Sequence, residues 1–298
     1  MERRDKVKAL LGGEVGSLTL KVAERRETRT CAERLVEGLL FHGDDGEPVP
    51  AFFVQPPPDA AAAPAVLCCH AHGARYEIGR KELLEGRASL QSPYAADLIG
   101  LGAAVLCLEM PCFGAPATEE ESAASKACLW HGRTLFGRML AEQVAGIDYL
   151  SNAPGIDPDR IGTMWFSMGG THAWWLAALD PRIKAAVSMC CFADLDCLIR
   201  TGSHDGHGHY MTVPGLLRTT STGRLAGLAA PRAHLVCAGM KDWSTPPDCF
   251  ERARTELTEA YAAKHAQDML GFHVEPASGH QETPAMRRAV LDFLQRRL

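Results

Sequence analysis

Short strand-like runs rich in apolar and β-forming residues, most of them followed by a helical stretch, recur along most of this chain and constrain its fold more than any other feature. The runs are residues 65–69, 103–108, 160–164, 183–189, 233–238 and 270–274. Residues 93–101, 129–150, 171–179 and 247–262 lie between them with helical spacing, and 283–298 closes the chain in the same way. A strand covered on both faces reads as a continuous apolar run because neither face meets water. Such strands, separated by helices, predict an α/β fold: a mostly parallel sheet with helices on both faces. Upstream, 34–41 and 49–54 flank Gly43-Asp44-Asp45-Gly46, good turn chemistry for an antiparallel N-terminal β-hairpin. The proline- and alanine-rich 55–64 connects that hairpin to the sheet. One domain over 1–298 accounts for the length, with 1–33 as an N-terminal extension. Two weakly periodic stretches, 112–126 and 198–228, read as insertions over the top of the sheet, the second cap-like.

Charge and composition narrow the partners. A net charge of −5 without a basic block gives nucleic acid or an anionic membrane nothing to hold. No run approaches the eighteen or so apolar residues of a membrane span. Met1-Glu2-Arg3-Arg4-Asp5-Lys6 is not followed by the apolar core of a signal peptide, so a cytoplasmic location is expected. The eleven cysteines lie mostly inside apolar runs (Cys68, Cys69, Cys107, Cys190, Cys191, Cys237) and form no C-x-x-C. Reduced, buried thiols are therefore expected rather than a disulfide framework. A homo-oligomer is compatible with the composition, but no residue pattern specifies one.

The segment Trp165-Phe166-Ser167-Met168-Gly169-Gly170 stands between the run at 160–164 and the helical 171–179. A serine squeezed between strand and helix, with small residues after it, is the pattern of a nucleophile elbow, whose tight turn lifts the hydroxyl clear of the backbone. The pattern is G-x-S-x-G, and Trp165 stands at its first glycine. A serine hydroxyl needs a base, and the base needs a carboxylate to orient it. Asp242 follows the run at 233–238, and His280 follows that at 270–274, so acid and base come after the serine in the required order. Either residue alone has an ordinary explanation, Asp242 as a helix cap and His280 as a loop histidine. Together with the elbow they predict a Ser167–His280–Asp242 triad. Two backbone donors must face the developing oxyanion. The amide of Met168 is the first, and the loop His70-Ala71-His72-Gly73 supplies the amide of His72, or Ala74 if the register counts from His72-Gly73. The side chains of His70 and His72 are expected to be structural.

These segments resemble the α/β-hydrolase superfamily, and most of all its dienelactone-hydrolase and acetyl-xylan-esterase branch. The likeness rests on His70-Ala71-His72-Gly73, Phe166-Ser167-Met168-Gly169-Gly170, Gly239-Met240-Lys241-Asp242 after Pro231-Arg232, and Gly279-His280, in order from about residue 34 to the end. The resemblance implies an eight-stranded, mostly parallel sheet and ester hydrolysis through a covalent acyl-enzyme without a cofactor. Three positions depart from the pattern: Ser167 where dienelactone hydrolases carry cysteine, Ala71 for a glycine, and Trp165.

Other residues have weaker claims. His204, His207 and His209 alternate in one glycine-rich loop, a flexible setting that argues for a substrate-facing or exposed turn over a metal site. Glu109 ends a strand and is expected to hold the next loop. Cys112 has no base beside it. Trp174 and Trp175 are expected to fill core. Trp130, Trp243, Phe113 and Tyr210 flank the site loops, and Trp243, Phe113 and Tyr210 are the candidate substrate contacts. The expected function is a serine carboxylic-ester hydrolase for small or short-acyl esters. A peptidase, thioesterase or lactonase with the same triad, a silent binding relative, and a metallohydrolase on the 204–209 histidines are the rivals. A peptidase of the prolyl-oligopeptidase type usually carries a large N-terminal domain, and only about sixty residues precede the first buried run here.

Overall fold

The computed structural model describes residues 3–44, 46–59, 62–114 and 119–298. Nine strands form one sheet in the order β1-β2-β3-β5-β4-β6-β7-β8-β9. They are β1 (Leu20–Cys31), β2 (Arg34–Gly43), β3 (Pro48–Val54), β4 (Ala63–Cys68), β5 (Ala104–Leu108), β6 (Ile156–Phe166), β7 (Ile183–Met189), β8 (Ala233–Gly239) and β9 (Leu270–Glu275). The pairs from β5 through β4 to β9 are parallel, while β1, β2 and β3 run antiparallel. The helices are α1 (Arg3–Leu11), α2 (Glu82–Glu85), α3 (Ala95–Gly100), α4 (Glu121–Trp130), α5 (Leu135–Asn152), α6 (Met168–Leu179), α7 (Leu195–Thr201), α8 (Leu216–Thr219), α9 (Thr222–Ala226), α10 (Pro247–Ala262) and α11 (Pro284–Arg297). Both faces of the sheet are covered. The central strands β4, β5 and β7 are buried almost throughout, as strands covered on both faces must be.

The hairpin pairs Phe41 with Val49 and Val36 with Val54, and Asp45 of its turn lies outside the described residues. Beyond it the sheet gains a ninth strand. Leu20–Cys31, expected as part of an extension, pairs with β2 along its length. Its sequence, LKVAERRETRTC, has no apolar run because an edge strand faces water and is protected by charge. The stretch 129–150 is two helices rather than one. Gly132 takes φ 68° between them, and the Thr134 side chain caps α5 by accepting the Gly137 amide. The 112–126 insertion includes the start of α4 (its residues 115–118 are not described), and 198–228 is a series of short helices that begins earlier, at Leu195.

Cysteine usage needs one correction. Nine cysteines are free and mostly buried, but Cys197 of α7 and Cys249 of α10 form a disulfide across 52 residues. No spacing signal marks that pair, since only the tertiary fold brings the two helices together. No described helix is long and apolar enough to cross a membrane.

Candidate active site

Ser167 sits between the end of β6 and the first residue of α6, with φ 56° and ψ −126°. A non-glycine residue in that region is strained, and an elbow turn is a place where such strain is held. The turn is tight enough that a side chain at Gly169 would place its Cβ 1.5 Å from the Cys69 carbonyl oxygen. Gly169, two residues after the serine, therefore cannot be replaced in this turn, and Gly170 is close-packed as well, since a Cβ there would lie 2.9 Å from the Trp165 carbonyl oxygen. A Cβ on Gly169 would also lie 2.7 Å from the Cβ of Trp165, so the bare Gly169 makes room for the tryptophan.

Trp165 is fully buried and has a specific partner. Its indole N–H donates to Glu82 Oε1 at 2.9 Å, and its ring packs beside that of Tyr94. Glu82 is itself 0% exposed, and its Oε2 accepts the Ala71 amide at 2.9 Å. Arg87 stands 3.7 Å from the same carboxylate and donates to the His72 carbonyl at 3.2 Å. Burial pushes the Glu82 carboxyl up, opposed by Arg87, Trp165 and the Ala71 amide. The residue that breaks the elbow motif thus ties the elbow to the loop at 70–73. Glu82 and Arg87 lie outside every sequence motif and were not anticipated.

The three residues expected to form a triad come together. His280 Nε2 is 3.0 Å from Ser167 Oγ, and His280 Nδ1 is 3.0 and 2.9 Å from the two oxygens of Asp242. Asp242 is buried, and its Oδ1 also accepts the Ser244 amide at 2.8 Å and the Ser244 hydroxyl at 2.7 Å. The loops carrying acid and base touch backbone to backbone, because a side chain on Gly239 would meet the Ser278 carbonyl at 2.5 Å. Phe166 and Trp243 contact the His280 ring, at centroid distances of 4.7 and 5.6 Å.

Met168 opens α6, so its N–H is one of the four at a helix start without an intrahelical acceptor. On the facing loop the Ala71 amide is held by Glu82 and the Ala74 amide by His72 Nδ1 at 3.0 Å. The alternative donor Ala74 is therefore occupied, whereas His72 and Gly73 lie between the two held amides. Since His72 Nδ1 accepts, Nε2 carries the proton and donates to Glu121 Oε2 at 2.6 Å. Burial alone would raise the Glu121 carboxyl. Hydrogen bonds from His72, Tyr76 and the Tyr210 amide outweigh it and hold the pKa down at about 2. His70 is buried beneath the loop, accepts the Met110 amide at 3.0 Å and has its pKa pushed down by burial to about 3. Glu109 accepts the backbone and side chain of Arg80, holding the 79–81 turn.

Of the candidate substrate contacts, only Trp243 is open to solvent, at 56% exposure. Phe113 and Tyr210 are buried: Phe113 packs on His70, His72 and Tyr76, and Tyr210 on His72, Phe136 and His172. Neither lines the cavity at Ser167, so both support the loop from beneath instead of meeting a ligand there. That cavity has a volume of about 120 Å³ and is bounded by Gly73, Arg87, Ala88, Phe166 and His280 among others. Among the described residues, no group of three or more His, Cys, Asp or Glu could hold a metal ion. His207 instead donates to the Ser244 carbonyl at 3.1 Å.

Sheet order, elbow and strand-end loops define a serine hydrolase of the α/β-hydrolase fold. The profile of the prolyl oligopeptidase family matches residues 133–298, and the chain belongs to that family. It is 38% identical over 301 residues to "Putative hydrolase YtaP" of Bacillus subtilis (strain 168), covering 99% of this chain and 98% of that one. Among solved structures, acetyl xylan esterase 1 from Thermoanaerobacterium sp. JW/SL YS485 superposes with a TM-score of 0.66 at 16% identity, over 99% of this chain and 93% of its own. The glucuronoyl esterase from Solibacter usitatus gives 0.67 at 14%, over 99% and 92%. At those identities the likeness is one of fold.

Proposed function

We propose that this protein hydrolyses small or short-acyl carboxylic esters through an acyl-enzyme formed on Ser167. The observation that supports this reading best is the unbroken chain of short contacts from Ser167 Oγ through His280 to Asp242, on a turn strained as an elbow requires. Ser167 attacks the ester carbonyl as His280 Nε2 takes its proton. Asp242 keeps Nδ1 protonated and stabilises the imidazolium. The amides of Met168 and His72 receive the oxyanion, which two adjoining peptides held by Glu82 and Arg87 keep in register. His280 then protonates the departing alcohol, and water returns along the same route. At roughly 30 Å³ per water-sized unit, the 120 Å³ cavity suits an acyl group of a few heavy atoms.

Membership of the prolyl oligopeptidase family favours a second reading, peptide-bond cleavage by the same groups. One experiment separates the two: turnover of phenyl acetate and of a peptidyl p-nitroanilide by the same preparation, with a fluorophosphonate label located by peptide mapping. The ester reading expects label on Ser167 and turnover of the acetate, both lost in Ser167→Ala by on the order of 10⁶ in kcat. Preferential anilide turnover assigns a peptidase, and a folded protein that takes no label is a binding relative.

A further inference from the structure

The segment between β7 and β8 encloses a second hollow, larger than the cavity at Ser167. Its volume is about 390 Å³, and α7, α8 and the loop carrying His204, His207 and His209 surround it. Leu195, Leu198, Met211, Val213 and Leu216 line it. So do Ile199 and Leu217, which are 49% and 40% exposed. Apolar surface left open to water is unfavourable. A concave apolar surface edged by a few polar groups is the usual form of a small-molecule site.

This hollow adjoins the candidate active site. His207 lines it and bonds the Ser244 carbonyl at 3.1 Å, two residues from Asp242. The His207 ring meets that of Trp243 at 5.9 Å, and Trp243 meets His280 at 5.6 Å. The exposed Trp243 ring therefore links the base to the edge of the hollow. On the opposite side of the loop, a side chain on Gly208 would come within 2.9 Å of His72 Nε2. The two cavities share no lining residue, so an acyl group and an alcohol group would have separate places. The direction of proton transfer assigns them. His280 gives its proton to the leaving oxygen, so the alcohol departs past the ring against which Trp243 stands.

We propose that the hollow is a subsite for an apolar alkyl or aryl group carried on the alcohol side of the ester, reached across Trp243. This rests on the ester-hydrolase reading above and narrows its substrates to esters with a short acyl group and a bulky apolar alcohol. At roughly 30 Å³ per water-sized unit, the 390 Å³ hollow has room for a group much larger than the acyl cavity admits.

The test is a pair of matched series on the full-length protein: acetates of straight-chain alcohols from ethanol to hexanol, and ethyl esters of acids from acetate to hexanoate. The expected result is a kcat/KM that rises roughly two- to fourfold per methylene on the alcohol side, with no such rise on the acyl side. Ile199→Asn combined with Leu217→Asn should flatten the alcohol series, with a loss that grows with chain length. Both positions lie at the surface, 49% and 40% exposed, so their change bears on the hollow more than on folding. A flat alcohol series from an enzyme that turns over ethyl acetate and takes fluorophosphonate on Ser167 overturns this inference and leaves the ester reading standing. A dimer that the double variant converts to a monomer, with the alcohol slope unchanged, also overturns it and assigns the face to a second copy of the chain. Absence of both label and turnover overturns the ester reading and this inference together.

Discussion

Replacing Trp165 by glycine restores the standard G-x-S-x-G sequence, and the structure predicts that this repair is ruinous. The indole is fully buried, with its N–H on Glu82. Removing a buried tryptophan side chain costs about 3–5 kcal/mol in lost burial and cavity, and a hydrogen bond to a charged group adds about 1.5–3 kcal/mol. The combined loss of about 5–8 kcal/mol is comparable with the whole stability of many domains, about 5–15 kcal/mol. Trp165→Phe keeps most of the ring and loses the donor, so about 3 kcal/mol is expected. The phenylalanine variant should therefore fold and allow catalysis to be measured. With Glu82 Oε1 released, the carboxylate no longer holds the Ala71 amide in one place. A shift of about 1 Å in a positioning group costs on the order of 10² in rate. The kcat on phenyl acetate should fall about 10- to 100-fold with KM little changed.

Urea unfolding followed by far-ultraviolet circular dichroism measures the stability term without relying on the fluorescence of the residue removed. A cycle of Trp165→Phe, Glu82→Gln and the double variant isolates the bond, with a coupling of about 1–3 kcal/mol expected. If the two changes add within about 0.5 kcal/mol, the indole–carboxylate bond carries nothing. A glycine variant within 1 kcal/mol of wild type would refute the whole account, because no cavity of indole size could then exist at 165.

The other expectations concern separate parts of the molecule. Gly169→Ala should abolish folding or activity, since its Cβ would meet the Cys69 carbonyl at 1.5 Å, whereas Gly13→Ala, with open space around it and φ 79°, should cost only about 1 kcal/mol in soluble-fraction and urea assays. Ser244→Ala removes a hydroxyl bond to Asp242 but leaves the backbone one; kcat should fall several-fold, and the acid limb of the kcat/KM profile should shift, while an unchanged profile would assign Ser244 a packing role only. Burial holds His70 and His234 neutral with pKa about 3 and His172 with pKa about 4, against 6.5 when unfolded. The unfolded chain therefore binds more protons below pH 6.5, and stability should fall as pH drops from there toward 4, seen as a declining urea midpoint. Cys197→Ser with Cys249→Ser should lower stability by about 2–4 kcal/mol, a loss that dithiothreitol reproduces in the wild type but not in the variant.

Much of this site could be read from the chain because its parts are local. Ser167, Asp242 and His280 each stand in the turn or loop that follows a strand-like run, and a parallel sheet carries all such ends to one edge. Strand β1 could not be read in that way, because an edge strand protected by charge lacks the apolar run that marks its neighbours. Phe113 and Tyr210 were misplaced for another reason. Proximity in sequence to a site loop says nothing about whether a ring turns toward the ligand or packs beneath the loop, and burial decides that.

Trp165 shows the limit most clearly. A motif records which residue a turn usually tolerates, and at its first position glycine is usual because strand and helix are close there. Here the close approach is met by Gly169, whose missing side chain accommodates both the Cys69 carbonyl and the Trp165 Cβ, and by Gly170, where a Cβ would lie 2.9 Å from the Trp165 carbonyl oxygen. Once that space exists, a large side chain at 165 is an advantage if a buried acceptor lies within reach of its N–H. Glu82 is that acceptor, 83 residues earlier in a short helix without any motif. A buried carboxylate is costly unless its oxygens are paired. Trp165 and the Ala71 amide therefore stabilise Glu82 as much as it positions them. The departure from the motif and the unheralded glutamate belong together: each would be a defect alone, and together they link the nucleophile's turn to the loop that faces it.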